Sequence, residues 1–139
     1  MTEHSARVAS RASMAAVEAG DRDRWLALFA PDAVIEDPIG VSVLDPTGQG
    51  HRGTEAIAAF WDTTIASGTI RFAIRESYAA GDEVANVGTI TTTFPDGSGV
   101  AVAGVFTYRV GDDGLIRSLR AFWSHESLRS SDSVQGSAD

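Results

Sequence analysis

Val34-Ile35-Glu36-Asp37-Pro38-Ile39-Gly40 runs two strong strand formers into an Asp-Pro stop, and the reading of these seven residues decides what the rest of the chain must build. Val34 and Ile35 favour extended backbone, Pro38 has no N–H to continue a ladder, and Gly40 permits a sharp exit, so a strand over Ala33–Asp37 stops near Asp37. Side chains alternate along a strand. If Ile35 faces the interior, Asp37 does too, and Glu36 faces out. An inward aspartate at a strand end is a candidate general base. Asp-Pro is also a common turn initiator, so these residues alone leave open a pair of solvated carboxylates.

Upstream, Ser5 to Ala19 is rich in alanine, with Val8, Ala12, Ala15 or Ala16, and Ala19 at helical spacing. Gly20 follows where helices end. Asp21 caps a second, short helix with Trp25, Leu28 and Phe29 as its apolar stripe, and Pro31-Asp32 breaks it. Downstream, residues 41–52 read as a loop or short hairpin that could cover a cavity mouth. Thr54 and Glu55 open a third helix with Ile57, Phe60, Trp61 and Ile65 on one face, closed by Gly68.

From Ile70 the period changes to two. Ile70, Phe72 and Ile74 alternate with polar residues, and strands follow over about Glu83–Phe94, Val100–Val110 and Leu115–Trp123, joined by turns at Gly81-Asp82, Pro95-Asp96-Gly97-Ser98 and Gly111-Asp112-Asp113-Gly114. Val102, Phe106 and Tyr108 share one face, as do Leu119, Ala121 and Trp123. Three helices around one strand, followed by a four-stranded meander, make an α+β layout: a cone-shaped barrel of a curved, mostly antiparallel sheet wrapped around three N-terminal helices. An apolar cone can bind an apolar ligand, or can simply be filled by its own side chains.

A chain of 139 residues suits one domain, here residues 1–126 with a disordered tail at 127–139. There is no cysteine, so thiol chemistry is excluded. A net charge of -8 with scattered basic residues argues against a nucleic-acid partner. No signal peptide or membrane span is visible, which makes the cytoplasm the expected location. His4, His51 and His125 have no metal-ligand spacing, and the glycines lie at turns, so no metal and no cofactor is expected. Residues 100–105 are apolar or small on both faces, as in a strand covered on its outer side by a second copy of the chain.

With this order in place, Ala19-Gly20-Asp21, Leu26-Ala27-Leu28-Phe29-Ala30-Pro31-Asp32-Ala33, Glu36-Asp37-Pro38-Ile39-Gly40 and Gly53-Thr54-Glu55-Ala56-Ile57 resemble the ketosteroid isomerase branch of the nuclear transport factor 2-like superfamily. Tyr108-Arg109 and Ser118-Leu119-Arg120-Ala121 extend the likeness over nearly the whole chain. The resemblance implies a usually dimeric cone with an apolar pocket, in which an aspartate, here Asp37, shuttles a proton between two carbons of a steroid ketone. It also implies two enolate donors, a tyrosine on the first helix and a neutral aspartic acid on the strand before the last. This chain departs at both, with Ser13 at the tyrosine position and Phe106 at the acid position, and Trp61 replaces a pocket aromatic on the third helix.

The expectation is an enzyme of isomerase or proton-abstraction lyase type. Asp37 is its general base, and Ser13, Val17, Phe29, Phe60, Trp61, Phe106, Tyr108, Leu119 and Trp123 are its ligand-binding residues. Its ligand is a small hydrophobic, steroid-like or aromatic molecule. Weak steroid isomerisation is expected, with a Kemp-type elimination suited to a weak anion site, where the Ser13 hydroxyl and the Trp61 and Trp123 indoles could compensate in part. A non-catalytic steroid binder and, last, an epoxide hydrolase-like enzyme are the alternatives.

Overall fold

A computed structural model describes residues 3–130. The expected α+β cone is present, built on a seven-stranded, mostly antiparallel, curved and open sheet in which six strands run in the order β2-β1-β6-β5-β4-β3 and β7 pairs with β5 off that path. Its strands are β1 (Phe29–Glu36), β2 (His51–Arg52), β3 (Thr69–Ala80), β4 (Glu83–Thr93), β5 (Gly99–Val110), β6 (Ile116–Phe122) and β7 (Arg129–Ser130). The helices are α1 (Ser5–Ala19), α2 (Arg22–Leu26) and α3 (Gly53–Thr63).

Helix α1 has the boundaries expected of it and ends in a left-handed Gly20, φ 68°, whose N–H reaches the Val17 carbonyl. Its buried stripe differs from the expected one. Ala6, Ala9, Ser10, Ser13 and Ala16 face the sheet, while Val8 is 48% exposed. Small side chains on that stripe let the helix lie close against β3, β4 and β5. Asp21 caps α2, accepting from the Arg24 N–H at 3.2 Å. That helix stops at Leu26, so Phe29 begins β1 and Pro31-Asp32 lies within the strand rather than breaking a helix.

Strand β1 starts earlier than its sequence suggests and ends at Glu36. It runs parallel to β6, pairing Ile35 with Leu119 and Glu36 with Arg120. The outward Glu36 accepts from Arg120 Nε at 3.0 Å. Past the strand, the Ile39 N–H donates to the Ala121 carbonyl at 3.1 Å, so the chain around Asp37 remains tied to β6. The meander β3-β4-β5-β6 is antiparallel throughout, and the domain continues past residue 126, where Arg129–Ser130 pair with β5. The remainder of the expected tail, 131–139, lies outside the described residues.

Residues 41–50 form turns built on one buried carboxylate. Asp45 Oδ1 accepts from the Gly48 N–H at 3.2 Å and the Thr47 hydroxyl at 3.0 Å, and Oδ2 accepts from the Gly50 N–H at 2.8 Å. Gly50 has φ +87°, and a Cβ there would sit 2.7 Å from Val34 Cγ1, so glycine is needed where the loop returns to β1. Burial alone would raise the Asp45 carboxyl, but the Gly50 amide and the Thr47 hydroxyl outweigh it and hold it below the usual carboxylate range. Asp45→Ala should therefore cost about 1–3 kcal/mol in urea unfolding at pH 7. A depressed folded carboxyl stabilises above its unfolded value, so the deficit should narrow as pH falls below about 4.

Candidate functional site

The helices stand over the concave face of the sheet without filling it, leaving a cavity of about 480 Å³. Trp25, Ser13, Tyr108, Leu119 and Asp37 lie in its wall along with Phe60 and Phe106. Met14 and Val17 of α1 form a further side, and Ile70, Phe72, Ile90 and Val102 come from the meander. Thr63, Thr64, Ser67, Thr92 and His125 add polar atoms to a wall that is otherwise apolar. This size falls within the range of small-molecule sites.

Asp37 is part of that wall, as strand alternation from Ile35 required. Its Oδ1 accepts the Trp123 indole N–H at 2.7 Å, a bond that ties the end of β1 to the end of β6. Burial pushes its carboxyl above the ordinary value, while the Trp123 bond and the charge of His51 pull it back. His51, on β2, was legible only as a loop histidine. The register puts it opposite Ile35, its ring packs on Phe60 at 4.7 Å, and its Nε2 is buried with no hydrogen-bond partner among the described residues.

A second polar cluster has no counterpart in the sequence reading. The Trp25 indole N–H donates to Ser13 Oγ at 3.1 Å, with both residues almost fully buried. Tyr108, itself 4% exposed, lines the cavity beside this pair. Burial pushes the Tyr108 hydroxyl up to about 12, with the Ser13 hydroxyl opposing and the negative charge of Asp37 adding. Tyr108 therefore stays protonated and able to donate across the ordinary pH range.

Of the ligand-binding residues expected from sequence, Ser13, Val17, Phe60, Phe106, Tyr108, Leu119 and Trp123 line the cavity together with Asp37. Phe29 and Trp61 do not. Both pack on Trp25, with ring centroids 4.6 and 5.2 Å away, and form the core behind the wall. Two of the three compensating donors fail for that reason or a related one: Trp61 is turned into the core, and the Trp123 N–H is already committed to Asp37. Trp25, Met14 and Phe72 are wall residues that sequence reasoning missed. Trp25 belonged to an apolar stripe, which signals burial without saying which side of the ring meets empty space. Among the described residues no three His, Asp or Glu converge as metal ligands, and no helix is long and apolar enough to cross a membrane.

Comparison with known proteins adds relatives to this geometry. The SnoaL-like domain profile matches residues 10–119. The structure of RV0760c from Mycobacterium tuberculosis is 42% identical, covers 94% of this chain and 98% of its own, and superposes with a TM-score of 0.90. The same protein in complex with estradiol-17β-hemisuccinate gives a TM-score of 0.87 at 42% identity, covering 91% of this chain and 99% of its own. A Δ5-3-ketosteroid isomerase from Mycobacterium sp. is likewise 42% identical, with coverage of 92% and 99% and a TM-score of 0.89. Epoxide hydrolase LasB of Streptomyces lasalocidi is 35% identical over 114 residues, 77% of this chain, and the chain spans 37% of that relative's length.

A raised folded carboxyl fixes the sign of one pH effect. Between the unfolded carboxylate value near 3.9 and the higher folded value of Asp37, the folded state binds more protons, so stability falls as pH rises through that window. Asp37→Asn should melt at a higher temperature than the parent at pH 7 and at the same temperature near pH 3.

Proposed function

The chain belongs to the SnoaL-like domain family, in its ketosteroid isomerase-like branch, and we propose that it removes a proton from an activated C–H bond of a hydrophobic, steroid-like ligand with Asp37 as the general base. One observation carries this reading. A single carboxylate, oriented by the Trp123 indole at 2.7 Å, faces an apolar cavity of about 480 Å³. Burial raises its basicity, yet its hydrogen bond and the charge of His51 limit the rise, which suits a base that must be ionised before it can act.

Asp37 takes the proton, and the electron pair of the broken C–H bond moves onto the ligand. The same carboxyl then returns the proton to a second carbon, as in isomerisation, or a leaving group departs, as in a Kemp-type elimination. Ser13 and Phe106 stand where the family's enolate donors are expected, so substrates whose anion delocalises its own charge are favoured over an unassisted dienolate. The steroid complex of RV0760c supports ligand class and also a second reading, a steroid-binding protein without turnover. Likeness to LasB supports epoxide opening less well, because Asp37 is the cavity's one carboxylate among the described residues.

Asp37→Asn should lower the rate of benzisoxazole elimination, and of any β,γ-unsaturated ketosteroid isomerisation, by roughly a hundredfold to ten-thousandfold while leaving steroid affinity within a few-fold. Full turnover in the variant would end the base assignment. Steroid binding by the parent with neither reaction above background would favour the binding reading.

We also assign the outer face of the sheet to contact with a second copy. Phe122, Val105 and Val87 are cross-strand neighbours over β6, β5 and β4, and Phe122 is 48% exposed. A contiguous apolar row on a sheet face is what a homodimer covers. Sedimentation should give a dimer for the parent and a monomer for Val105→Glu, with the far-ultraviolet spectrum unchanged.

A further inference from the structure

We infer that a second cavity, between α1 and the edge strand β3, is a binding site for a small carboxylic acid with an apolar body, its carboxylate held by Arg7 and Asn86. Met14 and Phe72 belong to the walls of both this cavity and the cone, and partition the two. The site does not depend on the chemistry at Asp37.

A bulge in β3 shapes this space of about 390 Å³. In a regular strand Ile74 and Ser77, three residues apart, would face opposite sides. The register of β3 against β4 shifts between Ile74 and Glu76, which leaves Arg75 as the extra residue, and Ile74 and Ser77 both line the cavity. Helix α1 crosses this stretch in the opposite direction. At one end Arg7 Nε donates to Ser77 Oγ at 3.1 Å; at the other the Phe72 N–H donates to Glu18 Oε2 at 2.9 Å. Asn86 is paired with Ser77 across β4 and β3, so it joins the Arg7 end. The wall is therefore polarised along the helix, with Met14, Ala15, Phe72 and Ile74 making its apolar part. Arg7 and Met14 are about 10 Å apart along the axis, room for a short acid laid lengthwise.

The polar end has donors with nothing to receive them. Ser10 and Asn86 are 0% and 2% exposed. The Ser10 hydroxyl donates to the Arg7 carbonyl at 3.0 Å, so its oxygen accepts from Asn86 Nδ2, at 3.4 Å. That fixes the amide and leaves its second N–H without a partner among the described residues, a costly state for a buried group unless something in the cavity meets it. Arg7 spends two of its N–H donors on the hydroxyl and carbonyl of Ser77, which hold the guanidinium in place without neutralising it. Among the described residues it has no carboxylate partner, in a chain of net charge -8. Arg11 adds a second positive charge one helical turn on. A fixed guanidinium beside an amide N–H is a donor set for a carboxylate. Glu18, engaged by the Phe72 amide at the far end, opposes an acid bound the other way round.

The test titrates the full chain with phenylacetate and with phenylacetamide, its uncharged counterpart, and follows backbone amides by NMR. Phenylacetate should give saturable shifts at Ser77 and Asn86, which line this cavity alone, larger than those at Val102 and Leu119, which line the cone alone. Phenylacetamide should bind at least tenfold more weakly. Arg7→Met should weaken phenylacetate by roughly ten- to a hundredfold and change phenylacetamide less than twofold. Equal affinity for acid and amide, shifts centred on Val102 and Leu119, or no saturable shift at all would overturn the inference, as would an equal loss of both probes in Arg7→Met. Should that variant fail to fold, the acid and amide comparison in the parent decides alone.

Discussion

A carboxylate held in an apolar wall is the constraint from which the rest of this structure follows. Left alone there, Asp37 would take up a proton. The indole of Trp123, 2.7 Å from Oδ1, keeps the charged form accessible, and the charge of His51 acts in the same direction. Both depend on the unusual pairing of this sheet. Strand β1 lies parallel to β6, so the end of β1 and the end of β6 fall at the same rim, and Asp37 and Trp123 meet there despite their separation in sequence. On the other side β2 pairs with β1 and delivers His51, while the Asp45-centred turns fix the approach of β2.

The cavity exists because the bulky residues are placed behind it. Trp61 and Phe29 pack against Trp25, and Ile35, Ile57 and Ile116 belong to the same buried core. Opposite, α1 presents alanine and serine to the sheet. A helix with leucines on that stripe would stand farther off or fill the void. The same small residues put Ser13 within reach of the Trp25 indole, so the packing that makes room for a ligand also makes a polar contact at its wall.

Much of this was legible in the chain. Period-two alternation located β3 to β6, alanine content and Gly20 bounded α1, and alternation from Ile35 aimed Asp37 inward. The failures have physical reasons. Alanine and serine offer no contrast between faces, so the buried stripe of α1 was assigned to the wrong side, with Val8 expected inside. Strand β7 is Arg129 and Ser130, which pair through backbone alone and leave no side-chain signal. Trp25, Phe29 and Trp61 all read as buried, and hydrophobic pattern does not tell a residue that faces a void from one that faces its neighbours. The hydrogen bond from Trp25 to Ser13 joins α2 to α1, and a search for donors at familiar positions passes over it.

Charge balance sets a condition on the chemistry proposed for this cavity. The cavity wall contains no lysine or arginine among the described residues, so the one negative charge it carries has no counterion in direct contact. On the proposed mechanism, proton transfer to Asp37 does not remove that charge; it moves it from a carboxylate with a committed indole donor to a ligand atom that arrives with none. Without a hydrogen bond at the new location the product state is less well solvated than the starting state, and the barrier rises by at least part of the difference. A ligand that spreads the charge over its own atoms lowers that penalty. On the proposed mechanism, substrate preference in this cone is set less by the strength of the base than by how well the charge is received after it leaves Asp37.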